Sequence, residues 1–220
     1  MKVSAQPRPP RRGTGVRDAA AQATRRAILK AATKIFAKHG FSGGRIDEIS
    51  KAAKSYDRMI YYYFGSKEDL FIAVLEEMYE RFNEAETALE LSSDQPVESL
   101  TAVIRFMWSF YQRNPEFITL LNDENLHRGK HISKSASARE FSSPAIQVLE
   151  GVLEAGARKK VFRVGLSARD VYLMVAALNY FYLSNRHTLS AFLGEKLETP
   201  EALAHWQAFV VDSVLRTVRP

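Results

Sequence analysis

The 220-residue sequence has no cysteine, which excludes a disulfide framework, a thiolate metal site and a cysteine nucleophile. It also has no apolar run of membrane length. The most apolar stretch, residues 171–183, is 13 residues long and contains Asn179, whereas a helix that crosses a bilayer needs about 20. The opening residues (MKVSAQPRPPRRGTG) carry charge without an apolar segment and do not read as a secretory signal. There is no nucleophile–base pair, phosphate-cradling glycine loop or spaced carboxylate pair of recognisable pattern, so an enzyme is not expected. No internal repeat is found, and no segment alternates with the period of a strand. These absences leave a soluble, cytoplasmic, all-α binding protein, with no cofactor and no metal.

What is present is unevenly distributed. Hydrophobic residues make up 46% and aromatic residues 11%, as in a globular protein. Residues 1–68 hold 15 Lys/Arg and 5 Asp/Glu, whereas the remainder holds 16 and 20. A basic block joined to a mildly acidic one is the charge footprint of a nucleic-acid-binding module.

Residues 1–16, rich in Pro, Arg and Gly, read as a flexible basic arm. A helix is expected from Arg17 to His39, because Ile28, Ala32, Ile35 and Phe36 share one face and Gly40 follows as a stop. A short helix over 46–53 and a third helix carrying Ile60 and Phe64 come next. A long fourth helix is capped by Ser66, with Asp69 as capping-box partner, and its apolar face runs to about Leu91. Beyond the SSDQP break, helices are expected up to Asn114-Pro115 and over 117–127, 144–160, 168–186 and 200–218. The polar stretch 128–143 reads as a loop with a helical turn.

An isolated eight-residue helix is unstable in water. The segment 46–53 makes sense packed between helices 1 and 3, in a three-helix unit that presents the third to a DNA major groove. Ile60 and Phe64 occupy the inner face of that third helix, so Tyr56, Asp57, Arg58, Tyr61 and Tyr62 cannot all be core. Tyrosine hydroxyls donate to phosphate oxygens, and an arginine can grip a guanine edge bidentately. Tyr63 stays open between core and surface. Lys67 stands in the first turn of helix 4, where backbone amides also favour a phosphate.

The runs FAKHGF, IDEISKAA and MIYYYFGSKEDLF resemble the N-terminal domain of the TetR/AcrR family of bacterial repressors over about residues 22–75. The resemblance implies that Tyr61 and Lys67 hold phosphates, and that Tyr62 and the first half of helix 3 face base edges. Two positions depart from the family pattern. Lys54 stands where the turn usually has Gly and is expected to take a left-handed backbone at a cost of about 1 kcal/mol. Arg45 stands where Thr or Ser is common, losing the hydroxyl cap of helix 2 but adding a charge next to the DNA backbone; both are counted among the DNA-binding residues. The reading is a helix-turn-helix DNA-binding domain over 17–66, followed by a helical-bundle ligand-binding and dimerisation domain over 67–220.

Residues 171–183 are apolar on nearly every side and need cover on every side. With the amphipathic last helix (Leu203, Trp206, Val210, Val214) beside them, a homodimer through about 168–186 and 200–218 supplies that cover. A dimer also suits double-stranded palindromic operator DNA. The resemblance further implies a small-molecule effector that separates the recognition helices. Its candidate lining is Phe106, Phe110, Tyr111, Phe117, Leu121, Leu178 and Tyr182, with Asn122, Asn125, His127 and Asn179 as polar contacts. His127 and His131 have a spacing able to hold zinc, but without cysteine support they read as surface or pocket-edge residues. Asp123-Glu124 reads as a solvated acidic pair.

Overall fold

The computed structural model describes residues 14–137 and 143–220. The expected basic arm falls mostly outside the described residues; its last three residues already belong to a helix. The elements are α1 (Thr14–Gly43), α2 (Ile46–Ala52), α3 (Asp57–Phe64), α4 (Lys67–Thr87), α5 (Pro96–Arg113) and α6 (Pro115–Leu126). A 3₁₀ turn (Ile132–Lys134) follows, and then α7 (Ser143–Arg158), α8 (Ala168–Leu193) and α9 (Pro200–Val218). Among the described residues there is no strand, and no helix is long and apolar enough to cross a membrane.

The starts of the helices follow local chemistry. Ser66, Ser167 and Thr199 accept backbone N–H bonds from Asp69, Asp170 and Ala202 at 3.0, 3.2 and 3.2 Å. Proline occupies the first turn of α5, α6 and α9, where its missing N–H costs nothing. The ends differ more from expectation. Gly40 does not stop α1 but kinks it, with φ +69° and ψ 176°, and one further turn follows. α4 ends at Thr87, and Leu89 and Leu91 carry the apolar pattern on as non-helical, half-buried chain. α8 runs about two turns past residue 186, through polar SNRHT, until Gly194 adopts the left-handed conformation that ends it.

One apolar core runs through the molecule. Ile28, Ala32 and Phe36 of α1 meet Ile49 of α2 and Ile60 and Phe64 of α3, and the same cluster continues through Leu70, Phe71 and Val74 of α4. Phe36 and Phe71 pack edge to face at 5.1 Å. From there the core passes between α4, α5 and α8 to Val210, Val214 and Val218 of α9.

Candidate nucleic-acid interface

α2 and α3 are too short to stand alone, and buried Ile49 and Ile60 fasten them to α1 and α4. The turn between them forces Lys54 to φ +52°, the left-handed conformation for which most chains would use glycine. Ser50 Oγ donates to Asp57 Oδ1 at 2.5 Å across this turn. Asp57 is therefore already engaged within the protein, tying the start of α3 to α2.

With Ile60 and Phe64 buried, the opposite side of α3 faces outward. Tyr56, Tyr61 and Tyr62 are exposed, Tyr62 to 76%, and Tyr63 is half-buried, edge to face with Tyr62 at 5.1 Å. Arg58 is exposed, with its guanidinium 5.4 Å from the Tyr56 ring centre. The structure thus groups Tyr56, Arg58, Tyr61 and Tyr62 on one surface. Arg45, before α2, makes no cap and instead pairs with Asp47 at 2.9 Å, which raises its pKa and lowers that of Asp47.

Lys67 is less free than its neighbours. Its ammonium lies 4.9 Å from the Phe41 ring centre and donates to the Ser42 carbonyl at 3.3 Å. Partial burial lowers its pKa. Phe41 sits just past the Gly40 kink, and its N–H donates to Asp123 Oδ2 at 2.8 Å. A Cβ on Gly40 would fall 2.6 Å from Asp123 Oδ1, so only glycine lets α1 approach α6 this closely.

This junction overturns the reading of Asp123-Glu124 as a solvated pair and of His131 as a surface residue. Glu124 is 3% exposed and His131 fully buried. Glu124 accepts from the His131 and Ile132 backbone N–H groups at 2.7 and 2.9 Å and lies 2.6 Å from His131 Nδ1. The His131 ring packs on Phe41 and Phe71 at 4.3 and 5.0 Å, and its Nε2 has no hydrogen-bond partner. Three groups of one loop account for the burial of a carboxylate that periodicity alone would place in solvent. Only the clustering of polar residues in DENLHRGKH signalled it. Among the described residues no group of three or more His, Asp or Glu could hold a metal.

The expected pocket residues separate into three places. Phe106, Phe110, Tyr111 and Phe117 surround Phe82, with ring centres 4.9–6.2 Å from it. Asn122 Oδ1 accepts from the Tyr180 and Ser184 hydroxyls beside this cluster, and Leu121 is half-buried on the same helix. His127 lies instead at the junction, its ring against Phe41 and its Nδ1 2.8 Å from the Asp123 carbonyl, and Asn125 is exposed. Leu178 and Tyr182 face α9. The Leu178 carbonyl accepts from Trp206 Nε1–H at 3.2 Å, and the Tyr182 ring stacks on Trp206 with its hydroxyl bonded to the Leu197 carbonyl. Asn179, fully buried on α8, has neither side-chain atom paired. Sequence reasoning missed Glu86, which is 3% exposed and held by burial at a pKa of about 7.

An outward-facing tyrosine and arginine face on the second helix of a tight helix-turn-helix, carried on a basic block, defines a DNA-binding regulator. The comparisons with known proteins agree. Residues 28–74 match the model of bacterial regulatory proteins of the tetR family, and residues 96–214 match the tetracyclin repressor-like C-terminal domain. The chain belongs to the TetR family of transcriptional regulators. It is 52% identical over 208 residues to the HTH-type transcriptional repressor NicS of Pseudomonas putida, covering 94% of this chain and 98% of that one. It is 29% identical to the HTH-type transcriptional repressor SCO4008 of Streptomyces coelicolor, over 72% of this chain and 78% of that one. Among solved structures, the transcriptional regulator SCO4942 of Streptomyces coelicolor matches in fold with a TM-score of 0.68 at 23% identity, over 90% of this chain and 99% of that one.

Proposed function

We propose that this chain is a ligand-responsive repressor that binds a palindromic operator as a homodimer and is released by a small-molecule inducer. The observation that carries the reading is the exposed Tyr56–Arg58–Tyr61–Tyr62 face on a helix whose other side is locked into the core. In this reading residues 17–66 form the DNA-binding unit and 67–220 the ligand-binding and dimerisation unit. Arg58 and Tyr62 read base edges, while Tyr61, Lys67, Arg45 and Lys54 hold the DNA backbone. Asp57 serves by fixing the start of α3, its carboxylate being taken by Ser50.

The dimer reading rests on an apolar stripe left uncovered. Leu173, Ala177 and Phe181 recur every four residues along α8 and are exposed, as are Phe192 on α8 and Phe209 on α9. A second copy meeting the same stripe would bury it in a four-helix interface. The ligand reading rests on the aromatic cluster around Phe82 and the unpaired amide of Asn179. The NicS and SCO4008 relatives are both described as repressors, which favours repression here.

The test is fluorescence anisotropy with DNA from upstream of the chain's own gene, over a salt series. Binding should weaken steeply with salt as counterions are released. Arg58→Ala should lose about 1–3 kcal/mol of discrimination between operator and altered sites, and Lys67→Ala should weaken all sites alike and lower the salt slope by about 1. The roles are reversed if Lys67→Ala alters site preference and Arg58→Ala does not.

A further inference from the structure

Among the described residues of the second domain, Glu86 is the buried carboxylate that accepts no hydrogen bond from the protein. It lies in the last turn of α4, 3% exposed, and among the described residues no donor reaches its side chain. The other buried carboxylate, Glu124, accepts two backbone N–H bonds and a histidine contact. A carboxylate buried to this extent without a protein donor has lost much of its hydration, and the groove it lines is the route by which a partner from outside the chain can reach it.

Its surroundings say what that partner looks like. Phe82 lies one turn earlier on the same face of α4 and anchors the cluster of Phe106, Phe110, Tyr111 and Phe117. The Tyr111 and Tyr172 hydroxyls are close enough that the Glu86 charge adds to the effect of burial in raising their pKa values. Glu86 also lines a groove with Thr87, Leu91, Val148, Gly151 and Val152, which opens between α4 and α7. A Cβ on Gly151 would meet nothing within 4 Å, so this side of the groove is open. Arg158 also lines it but lies 3.7 Å from Glu154, with which it pairs in solvent. The carboxylate therefore stands at an open groove, with Tyr111 and Tyr172 near enough to feel its charge.

We infer that Glu86 is a specificity-determining residue of the effector site, accepting a hydrogen bond from a nitrogen-borne proton on a small aromatic ligand. The ring lies in the groove against Leu91, Val148 and Val152, and the N–H or ammonium meets the carboxylate. Oxygen-only anions of the same size are disfavoured there, because they bring a second negative charge and no donor. This inference rests on the ligand-responsive reading given above.

The experiment uses the full chain and three probes of similar size: benzylamine, benzamide and benzoate. Their affinities are read from the rise of the thermal midpoint with probe concentration. Benzylamine, benzamide or both should stabilise the wild type more than benzoate does. Glu86→Leu should weaken the nitrogen probes about tenfold or more, the range expected for losing a hydrogen bond to a charged group. Glu86→Gln keeps an acceptor, so it should retain benzamide and lose benzylamine. The inference is overturned if benzoate binds as well as the nitrogen probes, if no probe binds, or if Glu86→Leu binds them unchanged. A separate arm titrates fractions of a small-molecule cell extract into the protein–operator complex. If no fraction releases the DNA, the ligand-responsive reading itself fails. If a fraction releases wild type and Glu86→Leu alike, that reading stands and the role of Glu86 falls.

Discussion

The two halves of this chain keep their polar chemistry in opposite places. In the helix-turn-helix unit the inside is closed and apolar, and the reactive side chains lie on the outer face of α3. In the second domain the notable polar groups are inside: among the described residues, Asn179 is buried with neither side-chain atom paired, and Glu86, 3% exposed, accepts no hydrogen bond from the protein. A surface that meets a large, charged duplex needs only a rigid support, because its partner brings the solvent-exposed charge. In the effector-site reading proposed above, such groups are held out of water in advance of the ligand, and this lowers the stability of the free protein.

The sharpest way to break this comparison is to cut one aromatic ring from each half. Phe36 is 1% exposed and meets Phe71 and Gly44 closely. Phe36→Ala should cost about 3–5 kcal/mol in urea unfolding and abolish operator binding. Phe106 is only half-buried and should cost no more than about half of that when cut to Ala, because less of its surface leaves water on folding. Equal losses would mean that the second domain is as closed as the first.

The next effect concerns charge. The Glu86 pKa is raised to about 7 in the folded chain, so the folded state binds its proton more tightly than the unfolded state does. This contribution is fully present below the ordinary carboxylate range and is lost as pH rises through about 7. Glu86→Gln should therefore stabilise the ligand-free protein by about 3 kcal/mol at pH 8, with a much smaller gap at pH 5, in urea unfolding at both pH values. A gap that does not change with pH would show that the carboxylate is solvated. The smallest effect is at Lys54. Lys54→Gly should relieve the left-handed backbone and raise stability by at most about 1 kcal/mol in thermal unfolding. Loss of its charge should weaken DNA binding at low salt.

The legibility of the two halves differs for a physical reason. In α3, Ile60 and Phe64 claim the inner face, so the outward position of Tyr62 and Arg58 follows from helical period alone. In α5 and α8, apolar residues at helical spacing look alike whether they fill a core or line a cavity. The set of Phe106, Phe110, Tyr111 and Phe117 came together as expected. Tyr182 and Leu178, of the same pattern, turned to α9, and His127 to the junction. Glu86 escaped notice because a lone glutamate near a helix end normally reads as a solvated cap.

The sequence by itself determined the all-helical class, the helix-turn-helix with the outward position of Tyr61 and Tyr62, and the left-handed turn at Lys54. Each of these depends on residues within a few positions of one another, whose period and caps act locally. Only the tertiary structure decided that Gly40 kinks α1 so that Asp123 can meet Phe41, that Glu124 and His131 are buried between the two halves, and that Glu86 has no partner. Those outcomes depend on which groups the packing brings near across 80 or more residues in the case of Phe41 and Asp123. Whether a buried polar atom finds a partner is set by that long-range geometry, not by its neighbours in the chain.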